Sequence, residues 1–141
     1  MKKISIIYWS EYGNVELLAT RIAKGAKAAG AEVVLKRVQE ATIEDVTSAD
    51  AVAFGSPSMD NNQVEQTEME PFLKEFKLLP NNNKNVVLFG SFGWDDGTFM
   101  VNFKNIMADY NFNVIGDVTV KETPSEVELK KAEELGALLA K

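Results

Sequence analysis

Five short apolar runs alternate with helical stripes along this chain, and that alternation limits the fold more than any single motif does. The runs cover residues 4–8, 32–37, 51–54, 85–89 and 113–120. Several are apolar on consecutive positions, as strands buried on both faces are. Between them, spacings of three and four align Leu18, Ile22, Ala26 and Ala29, then Met69, Phe72, Leu73 and Phe76. A third stripe joins Phe99, Phe103, Ile106, Met107 and Tyr110, and a fourth joins Ala132, Leu135, Leu138 and Leu139. Each is an amphipathic helix face. The connection between the second and third runs is short, so the capping box that Thr42 and Asp45 offer starts a helix of one or two turns at most. Such alternation predicts a parallel sheet with helices on both faces, joined by right-handed crossovers.

Composition sets the chemistry available. The 141 residues show no break in composition, which predicts one compact domain over 1–141. Cysteine and histidine are both absent. That excludes disulfides, thiolate nucleophiles and cysteine-bound clusters, and removes the commonest general base and transition-metal ligand. Elaborate chemistry therefore has to come from a bound cofactor. The net charge of −6 argues against nucleic acid or anionic membrane and favours a basic protein partner. Lys2 and Lys3 precede an apolar run too brief for a signal-peptide core or a membrane span, so a cytoplasmic protein is expected. Asn81, Asn82 and Asn83 after Pro80 read as a polar loop.

In an open parallel sheet a ligand binds beyond the carboxyl ends of the strands, where strand order reverses. Three loops leave those ends, at residues 10–14, 56–64 and 91–97. The first joins a strand to a helix through one glycine, Gly13, and aims backbone N–H groups and a helix N-terminus at one spot. That arrangement holds a phosphate without lysine or arginine. The second contains Pro57 and a polar stretch from Asp60 to Gln63, and the third sets Trp94 in a glycine-flanked loop too polar to be core.

Three motifs carry a resemblance: Tyr8-Trp9-Ser10 running into Gly13-Asn14 and Glu16; Met59 leading to Glu70-Pro71-Phe72; and Phe89-Gly90-Ser91-Phe92-Gly93-Trp94 with Asp96-Gly97. Together, and over nearly the whole chain, they resemble short-chain flavodoxins of anaerobic bacteria. The resemblance implies a flavodoxin-like three-layer α/β sandwich with a five-stranded parallel sheet in the order 2-1-3-4-5 and helices on both faces. Flavodoxins are themselves a standard example of that order. It further implies non-covalent FMN and a monomeric, low-potential electron carrier between redox protein partners.

By the same resemblance the first loop, with Ser10, Glu11, Tyr12, Gly13, Asn14 and Val15, cradles the FMN phosphate. The family pattern Ser-x-Thr-Gly-Asn-Thr has Tyr12 and Val15 here in place of threonines, which removes two hydroxyl donors, and Glu11 adds a carboxylate. A weakened phosphate site is expected. In the second loop, with Ser58, Met59, Asp60, Asn61 and Asn62, Met59 matches a residue packed on one flavin face. Asp60 takes the place of a glycine whose peptide turns on reduction, and Asn62 that of a glutamate accepting the flavin N3–H. In the third, with Ser91, Phe92, Gly93, Trp94, Asp95 and Gly97, Trp94 corresponds to the aromatic stacked on the isoalloxazine, with the N–H groups of Gly93, Trp94 and Asp95 near its pyrimidine edge. Trp9 and Phe92 pack around the site. Glu65, Glu68, Glu70, Asp95 and Asp96 form an acidic rim that steers a basic partner.

Three other readings differ in class. An FMN-dependent NAD(P)H:quinone or metal reductase of the same fold would need more loop for its second substrate. A cofactor-free interaction module is compatible with the altered phosphate loop. A phosphoacceptor receiver binding Mg²⁺ through Asp60, Asp95 and Asp96 would need an acidic pair where the chain has Trp9 and Ser10.

Overall fold

The computed structural model describes residues 1–10, 13–59, 62–79, 83–93 and 97–141. Five strands form one sheet: β1 (Lys3–Tyr8), β2 (Glu32–Arg37), β3 (Ala51–Pro57), β4 (Asn85–Phe92) and β5 (Asn113–Lys121). Their order is β2-β1-β3-β4-β5, and each neighbouring pair is parallel. Among the described residues the α-helices are α1 (Asn14–Ala28), α2 (Ile43–Thr47), α3 (Met69–Lys74), α4 (Thr98–Asp109) and α5 (Glu126–Leu139). The chain steps outward from β1 to β2 and then back across β1 to β3, so the strand order reverses at the β1–β3 junction.

The expected topology is the observed one, with α2 a five-residue helix begun by the Thr42–Asp45 capping box. Thr42 N–H donates to Asp45 Oδ2 at 2.8 Å, and Asp45 N–H donates back to Thr42 Oγ1 at 3.3 Å. Strands β3 and β4 each run three residues past their apolar stretches. Gly55, Ser56 and Pro57 stay in register with Phe89, Gly90 and Ser91, so pairing outlasts the hydrophobic signal and carries the sheet out to its carboxyl edge.

Alternation along the strands divides the core into two layers. Ile4, Ile6, Val87 and Phe89 face α1 and α5, where they meet Leu18, Ile22, Leu135 and Leu139. Ile7, Val52, Phe54 and Leu88 face the other way, into Phe72, Phe76, Phe99, Phe103 and Met107. Phe112 stands edge-on to both Phe54 and Phe76, with ring centroids 5.8 and 5.9 Å away. Against the first layer, α1 and α5 touch backbone to backbone. A Cβ on Gly25 would fall 1.9 Å from the Glu133 carbonyl oxygen, and one on Gly136 would fall 2.0 Å from that of Ile22.

Candidate functional site

The carboxyl ends of β1, β3 and β4 bring their loops around a cavity of about 270 Å³. Among the described residues its walls are Trp9, Ser10, Asn14, Val15, Pro57, Ser58, Met59, Ser91, Phe92, Gly93 and Glu122. Eight of these are residues that the sequence places in the site: Ser10, Asn14, Val15, Ser58, Met59, Ser91, Phe92 and Gly93. Gly13 and Gly97 do not line it; they start the two helices that flank it. Glu11, Tyr12, Asp60, Asn61, Trp94, Asp95 and Asp96 lie outside the described residues.

The helix starts differ across the sheet. Helices α2 and α5 follow the edge strands and begin with side-chain capping boxes, Thr42 with Asp45 and Ser125 with Glu128. Helices α1 and α4 follow β1 and β4 and begin instead at Gly13 (φ 92°) and Gly97 (φ 88°), with no hydrogen bond from a capping side chain. A left-handed cap of this kind suits glycine. It leaves the first turn of α1 facing the cavity with its backbone donors and the positive end of the helix dipole, which together favour an anion. Inside the loop, Gly13 N–H donates to Ser10 Oγ at 3.1 Å.

Main-chain bonds hold the described residues on either side of 60–61 after β3. Ser58 N–H donates to the Ser91 carbonyl at 2.7 Å, Met59 N–H to that of Gln63 at 2.8 Å, and Asn62 N–H to that of Met59 at 3.1 Å. Asn62 sits at φ 55°, a region asparagine tolerates, and its carbonyl accepts from the Asn102 side chain on α4 at 2.9 Å. Met59 is 40 % exposed at the cavity wall, an apolar surface available for a flat ring.

The acidic rim needs correction. Glu65 is only 2 % exposed, and its carboxylate accepts from the N–H groups of Thr67, Glu68 and Met69 at 2.8, 2.7 and 2.9 Å and from the Thr67 hydroxyl. It gathers the N–H groups that lead into α3, whose N-cap is Glu68. Burial pushes its pKa up, but the Thr67 hydroxyl and the three N–H groups outweigh that and hold it below the usual glutamate value. Glu68 accepts from the Trp9 indole and the Gln39 amide, and Glu70 pairs with Lys74 at 3.4 Å.

Two residues escaped the sequence reading. Glu122, at φ 60°, lines the cavity beside Phe92, whose carbonyl accepts its N–H at 2.8 Å. The signal for it is the alternation itself: β5 is parallel to β4, so the loop leaving it also opens on the ligand edge. The other is Arg37, which reaches the first loop from the end of β2. Its guanidinium donates to the Ser10 carbonyl at 3.2 Å and to Glu16 Oε2 at 3.2 Å, and lies 5.7 Å from the Tyr8 ring centroid. Burial and the Glu16 carboxylate raise the Tyr8 phenol above its ordinary value, against the opposing charge of Arg37.

Comparison with known proteins gives one consistent result. The family model for flavodoxins matches residues 6–136. The chain is 37 % identical over 139 residues to the flavodoxin of Megasphaera elsdenii, covering 98 % of each, and 35 % identical over 126 residues to that of Clostridium beijerinckii, covering 89 % of this chain and 91 % of the relative. The solution structure of two-electron reduced Megasphaera elsdenii flavodoxin superposes with a TM-score of 0.86 at 36 % identity, over 96 % of this chain and 98 % of that one.

Proposed function

This chain belongs to the flavodoxin family and is an electron carrier that binds FMN, and from that premise we propose how its residues divide the work. The phosphate lies at the N-terminus of α1, held by Ser10, Gly13 and Asn14 with Glu11, Tyr12 and Val15 around it. The ring system lies between Met59 and Trp94, bordered by Ser58, Asp60, Asn61, Asn62, Ser91, Phe92, Gly93, Asp95 and Gly97. The observation that carries this reading is the cavity at the strand-order reversal, flanked by the two α-helices that begin at left-handed glycines.

FMN, when bound, supplies the electron chemistry. The protein's own part is to bind, orient and shield. Backbone donors of α1 meet the phosphate charge without needing a cationic side chain in contact with it. Met59 and Phe92 present apolar surface, while the hydroxyl-bearing Ser10, Ser58 and Ser91 offer polar contacts along the cavity.

The chain folds as one domain over 1–141, works as a monomer in the cytoplasm, and meets basic surfaces on its redox partners through its excess negative charge. No helix among the described residues is long and apolar enough to cross a membrane. Flavin absorption of the purified protein and quenching of FMN fluorescence on titration test the site, and gel filtration tests the monomer. A colourless protein that leaves FMN fluorescence unchanged overturns this assignment. Steady oxidation of NAD(P)H by the protein alone would point to a reductase instead.

A further inference from the structure

We propose that Arg37 is a positioning residue for the phosphate end of FMN, a role that rests on the site assigned above. Arg37 ends β2 in register with Tyr8, the last residue of β1. Its single planar fork joins three successive parts of the cradle: the Tyr8 ring at the strand end, the Ser10 carbonyl in the loop, and Glu16 in the first turn of α1.

Two effects of this clamp bear on an anion. A backbone carbonyl carries partial negative charge, so one left to swing toward a phosphate weakens its binding; the bond from Arg37 holds the Ser10 carbonyl toward β2. Ser10 Oγ accepts from Gly13 N–H in the same loop, so both oxygens of Ser10 are held. Arg37 also pairs with Glu16, a carboxylate in the helix turn where a dianion is to sit, within a chain of net charge −6. An unpaired Glu16 would oppose that ligand. The Arg37 and Glu16 side chains are 41 % and 43 % exposed. Exposed pairs of this kind add little to global stability, so the role is read in affinity for the phosphate rather than in folding.

The test compares dissociation constants for FMN and for riboflavin, which lacks the phosphate, in wild type, Arg37→Ala and Arg37→Lys, by flavin fluorescence quenching. Arg37→Ala is expected to weaken FMN about tenfold and riboflavin less than about twofold. Its apoprotein should melt within about 2 °C of wild type. Arg37→Lys keeps the charge but lacks a fork that spans Ser10 and Glu16, so its FMN affinity should fall between the other two. Equal losses for both flavins, no loss for FMN, or wild-type behaviour of Arg37→Lys overturns the proposal. A wild-type protein that binds neither flavin overturns the underlying site assignment instead.

Discussion

The indole N–H of Trp9 donates to Glu68 Oε1 at 2.9 Å, joining the residue after β1 to the residue before α3 across 59 positions of sequence. Gln39 Nε2 reaches the same oxygen at 3.0 Å. Because Trp9 is a wall of the cavity, this bond fixes the plane of an aromatic surface beside the ligand. Glu68→Ala is therefore expected to shift one of the two indole N–H resonances in a proton–nitrogen spectrum and to weaken FMN about threefold, well below the full worth of a charge-assisted bond because the site is partly solvated. If neither resonance moves, the tether does not hold Trp9 in solution.

Glu65 gives the fold a defined response to acid. Its pKa is lowered in the folded state, so its stabilising contribution is complete above the ordinary glutamate pKa and is lost as pH falls through the depressed folded value. Glu65→Gln should cost about 2–3 kcal/mol at neutral pH, since bonds from three N–H groups and a hydroxyl to a charged oxygen pair are replaced by weaker ones. Urea denaturation at a series of pH values should show the gap between the two proteins closing below the usual glutamate range. A gap independent of pH would mean that Glu65 is not ionised in the fold.

Val15 makes stability and affinity pull in opposite directions. It is 2 % exposed, packed in the layer between the sheet and α1, yet it also lines the cavity. Val15→Thr is expected to lower apoprotein stability by about 1 kcal/mol through a partly desolvated hydroxyl, and to tighten FMN by supplying a bond to the phosphate. Together with Tyr12→Thr the gain should reach about tenfold. Unchanged or weaker FMN binding in the double variant would show that backbone donors alone set the affinity.

At the α1–α5 contact, helix propensity and packing predict opposite signs. Alanine for glycine in an open helix interior stabilises by about 0.5–1 kcal/mol. At Gly136 the new methyl would meet the Ile22 carbonyl at 2.0 Å, so Gly136→Ala should instead destabilise by about 1–3 kcal/mol. A thermal melt distinguishes the two, and a raised midpoint would mean that the helices part easily.

The succession of strands and helices is the most legible part of the sequence, because each element advertises its own periodicity, whereas the strand order follows from the family resemblance. The capping box at Thr42 was legible for the same reason, being complete within four residues. Sequence reading failed where the deciding neighbour is distant or where charge was equated with exposure. Glu65, Glu68 and Glu70 look alike on paper, yet the backbone N–H groups that follow Glu65 and lead into α3 turn it inward. Arg37 reaches the first loop only because β2 lies parallel beside β1, a register that no local pattern encodes. The apolar pattern stops short of the ends of β3 and β4 because Gly55, Ser56, Gly90 and Ser91 hide a pairing that their place inside the sheet sustains.

The close seating of α1 on α5 also has a bearing on when the protein becomes competent. Helix α1 starts at the phosphate loop, but the surfaces it packs against, Gly136 and the Glu133 that accepts from Arg21 at 3.0 Å, are made more than a hundred residues later. A nascent chain halted before Glu126 carries every loop of the cavity, the one leaving β5 included, while the helix bearing its anion-binding end still lacks its partner. Flavin capture should thus be a late event of synthesis, and ribosome-arrested chains of increasing length should begin to quench FMN only once α5 has emerged. Quenching by a chain that stops before α5 would show that the cradle forms without it.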